Sequence, residues 1–188
     1  MTSSEETTLP PGAMAELAGR VGAVLLGEGG GPGMRVGVAC ARFNGGITWR
    51  LLQGALQGLD EGRVDRDDVR VAWAPGAFEL PLVARAFAAS GSVDAVVCLG
   101  AVIRGETGHY DFVAGECAAG LQRVQVDWGL PVVFGVLTTD TVDQAMERSG
   151  PDPGNKGREA AAAAIEMHRL LGRLPAAAAA PVSPAAPH

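Results

Sequence analysis

Between two apolar stretches the chain runs Arg104-Gly105-Glu106-Thr107-Gly108-His109-Tyr110-Asp111, which gathers a cation, carboxylates, a hydroxyl and an imidazole. An imidazole is the side-chain type that both donates and accepts protons near neutral pH, so His109 is the candidate proton carrier. A structural histidine bonded to a loop carbonyl is the other reading. The glycines flanking Glu106-Thr107 let successive backbone N–H groups point at one place, as an anion cradle requires, and Thr107 adds a hydroxyl donor. Further along, Arg148 has the planar fork suited to phosphate, and Lys156 stands between glycines beside a helix start. Arg148, near the carboxyl end of its helix, could instead complement the helix dipole. Lys156, beside a helix start that draws anions, likewise has a structural as well as a binding reading. The pair His109-x-Asp111 cannot turn two ligands to one metal from a helix face, and His168 and His188 lie far off, so no metal site is read. Neither a G-x-S-x-G elbow nor a G-x-x-x-x-G-K-[ST] loop occurs, which removes the usual hydrolase and nucleotide-triphosphatase readings.

These residues need strands and helices to position them. Apolar strand patterns cover 35–41, 69–74, 95–103 and 131–137. Each is followed by a polar loop and by apolar residues at helical spacing, such as Leu52, Ala55, Leu56 and Leu59 after the first. After the third, the helical pattern resumes at Phe112. After the fourth, Thr138-Thr139-Asp140 reads as a helix start, and a last Ala-rich helix spans 159–171. Four strand–helix alternations imply parallel strands with right-handed crossovers. Continuous apolar runs imply strands covered on both faces. The expected fold is α/β, a three-layer α/β/α sandwich on a four-stranded parallel sheet, flavodoxin-like. Its loops at 42–46, 75–79, 104–109 and 138–140 converge on one edge, where ligands bind in such sheets. That edge offers Phe43, fit to stack on a planar heterocycle or to cap the core. It also offers Phe78 and Glu79, the latter at a helix start that favours a carboxylate.

Outside this body, residues 1–33 read as a flexible segment closed by a glycine-rich hinge at 27–33, with a short strand at 21–26 free to join a neighbour's sheet. Residues 34–172 form one domain, and 173–188 a disordered Pro/Ala-rich tail. A net charge of −6 over 188 residues argues against a nucleic-acid partner. No apolar run is long enough for a membrane span, and the acidic N-terminus is unlike a signal peptide. The cysteines Cys40, Cys98 and Cys117 form an odd set without C-x-x-C spacing, as expected of reduced thiols in a cytoplasmic protein.

At this point the residues match a known pattern. Arg42-Phe43-Asn44, Pro75-Gly76-Ala77-Phe78-Glu79-Leu80-Pro81, the run Gly100-Ala101-Val102-Ile103-Arg104-Gly105-Glu106-Thr107-Gly108-His109-Tyr110-Asp111, Phe134-Gly135-Val136-Leu137-Thr138-Thr139, Glu147-Arg148 and Gly154-Asn155-Lys156-Gly157 stand in the order and spacing of one family. The chain resembles the 6,7-dimethyl-8-ribityllumazine synthases. The resemblance implies condensation of 5-amino-6-(D-ribitylamino)uracil with 3,4-dihydroxy-2-butanone 4-phosphate, in the penultimate step of riboflavin biosynthesis, without metal or organic cofactor. It implies Phe43 stacked on the pyrimidine, with Ala77, Phe78, Glu79, Ala101, Val102 and Ile103 lining the ribitylaminouracil site. Glu106 and Thr107 would hold the phosphate, and His109 would be the catalytic proton shuttle. Phe134 and Arg148 would reach in from an adjacent subunit, onto the ring and the phosphate respectively, with Lys156 a further positive charge. Pentamers follow, with a sixty-subunit shell open to them and riboflavin synthase as a candidate partner. The sequence departs from the pattern at Gly108, where the family often has Pro or Thr, and at Pro151-Asp152-Pro153, where a Lys is common. A catalytically weak paralogue that forms shells or binds flavin, and a flavodoxin-like redox domain, are the competing readings.

Overall fold

The computed structural model of the chain describes residues 12–151 and 154–175. Its centre is a four-stranded parallel sheet in the order β2-β1-β3-β4, built from β1 (Val36–Ala41), β2 (Val69–Ala74), β3 (Ala95–Ile103) and β4 (Val132–Thr139). Period-two alternation divides the buried side chains between two faces. Val36, Val38, Cys40, Val97 and Leu99 face a core shared with helices α2 (Gly45–Glu61) and α6 (Lys156–Arg173). Ala39, Ala41, Val96 and Cys98 face a second core shared with α3 (Leu80–Ser90) and α4 (His109–Trp128). The three-layer sandwich expected from the alternating pattern is therefore the fold.

Boundaries moved in physically readable ways. β4 runs on to Thr139 because β3 is nine residues long and offers partners as far as Val102↔Thr138 and Ile103↔Thr139. β-branched threonines suit that role better than the helix start expected there. The next helix, α5 (Val142–Arg148), begins later, with Thr141 Oγ1 accepting from Gln144 N at 3.2 Å. α4 begins at His109, three residues ahead of Phe112, and α6 at Lys156, three ahead of Glu159. The expectation of strands covered on both faces fails for β2. It is an edge strand, and Val71 and Trp73 are each 42% exposed.

At the N-terminal side a short helix α1 (Ala13–Ala18) with no buried residue forms where none was expected. Residues 21–26 form no strand of this sheet, and Val21 and Leu25 are exposed. The glycine-rich run lies against the helices: Gly31 N donates to Gly62 O at 2.6 Å, Arg169 donates to Gly30 O, and Arg173 donates to Glu28 O. The first eleven residues and the Pro/Ala-rich run from 176 lie outside the described residues.

Two consequences can be measured. Arg35 grips Asp94 through Nη2 (2.7 Å), Nε (3.1 Å) and its backbone N (2.8 Å), tying the start of β1 to the start of β3. The side-chain hydrogen bond from Arg35 is the main cause that holds the Asp94 carboxyl below its ordinary value, against the effect of burial. A depressed carboxyl stabilises the fold fully above the unfolded carboxylate range near ~4, and that contribution disappears as pH falls through the folded value. Asp94→Asn is expected to lower the melting temperature at neutral pH and to flatten its decline in acid, read by thermal melts across pH. The three thiols are buried and free. Desolvation pushes Cys40 and Cys117 up to about 12, and Cys98 well above its ordinary value. Alkylation should be negligible in the native protein at pH 8 and complete in denaturant, as counted by mass spectrometry.

Candidate active site

The carboxyl ends of β1, β2 and β3 meet around one cavity of 740 Å³. The β1–β2 ladder continues past the strands, with Arg42 N donating to Ala74 O (2.9 Å) and Phe43 N to Pro75 O (3.0 Å). This seats Phe43, 72% exposed, beside the 75–79 segment. The chain then turns sharply into α2 through Asn44, in the left-handed region at φ 57. Asn tolerates that conformation better than most residues. Its Nδ2 donates to Ala101 O at 2.9 Å, which fixes the end of β1 to the end of β3. A single 3₁₀ turn, Ala77–Glu79, carries Phe78 and Glu79 before α3 begins. Phe43, Ala77, Phe78, Glu79, Ala101, Val102, Ile103, Thr107 and His109 all line the cavity. Glu106 lies outside the lining, on the exposed turn.

The early start of α4 changes what His109 is. It occupies the first turn of a helix, where unsatisfied N–H groups and the dipole favour an anion. Gly108 precedes it at φ −66 with open space where a Cβ would stand, so the backbone there makes no demand for glycine. Arg104 turns from the cavity to hold this helix start. Its guanidinium lies 4.0 Å over the Tyr110 ring and pairs with Asp111 at 3.2 Å and Asp140 at 3.1 Å. The hydrogen bond to Asp140 is the main cause holding its guanidinium more strongly protonated than usual.

The two remaining predicted residues are elsewhere. Phe134 and Arg148 line a second cavity of 420 Å³, along β4 and α6, with Lys156 and Glu159. It shares no lining residue with the first. Arg148 Nη1 donates to Gln144 O at 3.3 Å, within its own helix. Lys156 Nζ pairs with Glu159 at 2.6 Å, so part of its charge is neutralised locally.

Sequence reading missed Tyr110 and Phe112 as cavity walls and Asn44 as the link between strand ends. The signal for Phe112 was present. Once the helix begins at His109, residues 109, 112 and 113 stand at i, i+3 and i+4 on one helix face.

Comparison with known proteins agrees with the geometry. Residues 33–172 match the family model for 6,7-dimethyl-8-ribityllumazine synthase. A protein of Protochlamydia amoebophila (strain UWE25) named 6,7-dimethyl-8-ribityllumazine synthase is 54% identical over 140 residues, which cover 74% of this chain and 81% of that protein. The chain belongs to the 6,7-dimethyl-8-ribityllumazine synthase family.

Proposed function

We propose that this protein condenses 5-amino-6-(D-ribitylamino)uracil with 3,4-dihydroxy-2-butanone 4-phosphate, releasing phosphate and water and forming 6,7-dimethyl-8-ribityllumazine. The observation that carries the reading is the first cavity. It brings an exposed aromatic, a carboxylate and an imidazole together at the strand ends, in a chain of this family. Its volume falls in the ~300–1,000 Å³ range of small-molecule sites. Phe43 stacks on the heterocycle, while Ala77, Phe78, Glu79 and residues 101–103 line its site. The primary amine attacks the ketone carbonyl and water leaves. Phosphate is then eliminated to give a second carbonyl, and the ribitylamino nitrogen closes the ring onto that carbonyl with loss of a further water. Each step moves a proton, and His109 is placed to donate and accept. Holding both substrates in one cavity supplies much of the rest. The N–H groups of the 105–107 turn and the start of α4 receive the phosphate. No metal or organic cofactor takes part.

The second cavity supports a site shared between subunits. In one chain, Phe134 and Arg148 stand on a surface separate from His109, so they complete a neighbour's pocket in the assembly. The open edge at Val71 and Trp73, the exposed Leu82, Phe112 and Val126, and the unpaired 21–26 segment supply apolar surface for self-association. A pentamer in the cytoplasm follows, with residues 34–172 as its catalytic body and 21–26 as an added strand on a neighbour's sheet. A shell of such pentamers is a further assembly, and riboflavin synthase, which consumes the product, is a fitting partner.

Mixing the two substrates with the protein should produce lumazine absorbance and fluorescence together with inorganic phosphate. No product at high protein concentration overturns the reading. Arg148→Ala should raise the KM for the phosphorylated ketone about tenfold or more while the KM for the pyrimidine stays close to wild type. Initial rates with each substrate varied in turn check this.

A further inference from the structure

The Gly-Asn-Lys-Gly run contains a residue to which neither cavity assigns a task. Asn155 is 6% exposed, yet its amide makes five hydrogen bonds. Its Oδ1 accepts from Gly157 N (2.9 Å) and Arg158 N (3.2 Å), which caps α6. Its Nδ2 donates to Arg50 O (3.0 Å) in α2 and to Ser149 O and Gly150 O (3.1 Å each), the two residues that follow Arg148. A Cβ at Gly54 would collide with this amide, so glycine there is what admits it.

We propose that Asn155 is the positioning residue for the two cations of the second cavity. α5 is only seven residues long, and Arg148 is its last. The chain leaving it is fixed by the same amide that fixes the chain entering α6, whose first residue is Lys156. One buried side chain therefore sets the separation and direction of Arg148 and Lys156. A cap alone would need only Oδ1; the three carbonyls on Nδ2 are the additional feature. An NH₂ with two hydrogens serving three carbonyls shares at least one of them, which holds the chain at 50, 149 and 150 to one side chain. The inference rests on the reading of Arg148 as a phosphate ligand.

Asn155→Ser keeps an oxygen able to cap α6 and removes the donor to residues 149 and 150. Asn155→Asp keeps the cap and sets a carboxylate against the carbonyls. In the assembled protein, KM for the phosphorylated ketone and the inhibition constant of inorganic phosphate should both rise about tenfold in either variant. The KM for the pyrimidine should stay within about twofold, because the proposed pyrimidine site makes no use of Lys156 or Arg148. Arg148→Ala is measured alongside, and in its background Asn155→Ser should add little further effect. If Arg148→Ala leaves both phosphate readouts unchanged, the functional reading fails and the inference falls with it. If Arg148→Ala responds and the Asn155 variants do not, the positioning role alone is overturned. Equal changes for both substrates, or failure of both variants to assemble, reduce Asn155 to a fold residue and also overturn it.

Discussion

Replacing His109 with alanine is expected to lower kcat about a hundredfold or more, the scale at which positioned proton transfer contributes to catalysis. Assembly and thermal stability should be unchanged. The imidazole is exposed at the first turn of α4 and lines the cavity, while the helix start is held independently by Arg104 through Asp111, Asp140 and the Tyr110 ring. Removing it deletes no core contact, and such surface changes usually stay within about 0.5 kcal/mol. The KM values should move little, since in the proposed site Phe43, the turn at 105–107 and a neighbour's Arg148 do the binding. Single-turnover rates, light scattering and a thermal melt on the same preparation separate these effects. A large drop in melting temperature would assign His109 to the fold.

The largest structural effect is expected at Gly157. A Cβ there would fall inside the carbonyl oxygen of Leu51 and lie 2.7 Å from the carbonyl carbon, and both atoms belong to the backbone of α2. Nothing flexible can yield, so α2 and α6 must part. That interface is built from small residues, with Gly58 and Ala161 also in near contact. Gly157→Ala should destabilise the protein by about 3 kcal/mol, at the upper end of ordinary overpacking, and reduce soluble yield. Gly172→Ala, where a Cβ meets nothing within 4 Å, should stay within about 0.5 kcal/mol. Urea denaturation of both variants gives the comparison. Separation of the helices would also disturb the Asn155 amide, so surviving Gly157→Ala protein should use the phosphorylated ketone poorly.

The layered fold was legible because the strand patterns at 95–103 and 131–137 are compact apolar runs set apart by turn residues. Where the reading slipped, local signals had lost to tertiary pairing. Thr138 and Thr139 carry helix-start chemistry, but the long β3 holds them in the sheet. His109 opens a helix after a glycine that offers no capping side chain, so nothing in the run 105–108 announced the boundary. The exposed face of β2 could not be foreseen because strand order is a property of the whole sheet. Glu106 is exposed and outside the cavity lining, and its expected part in holding phosphate falls to its backbone N–H rather than to its charge. Phe134 and Arg148 are bound to the chemistry by resemblance, and no residue pattern could reveal that they line a different cavity from His109. The task of Asn155 was hidden for a related reason: its partners at 50 and 149–150 are distant in sequence or lie across a turn.

In the proposed assembly, the proton carrier and the phosphate ligand of each pocket come from two subunits. Subunits carrying His109→Ala, slowed about a hundredfold, and subunits carrying Arg148→Ala, slowed about tenfold under limiting phosphorylated ketone, can be co-expressed and purified as mixed assemblies. If the pocket is shared, about a quarter of the sites in a random one-to-one assembly pair an intact His109 with a neighbour's intact Arg148. The account predicts that lumazine formation recovers to about that fraction of the wild-type rate. Mixed assemblies that form normally and remain no faster than the Arg148→Ala parent would contradict it.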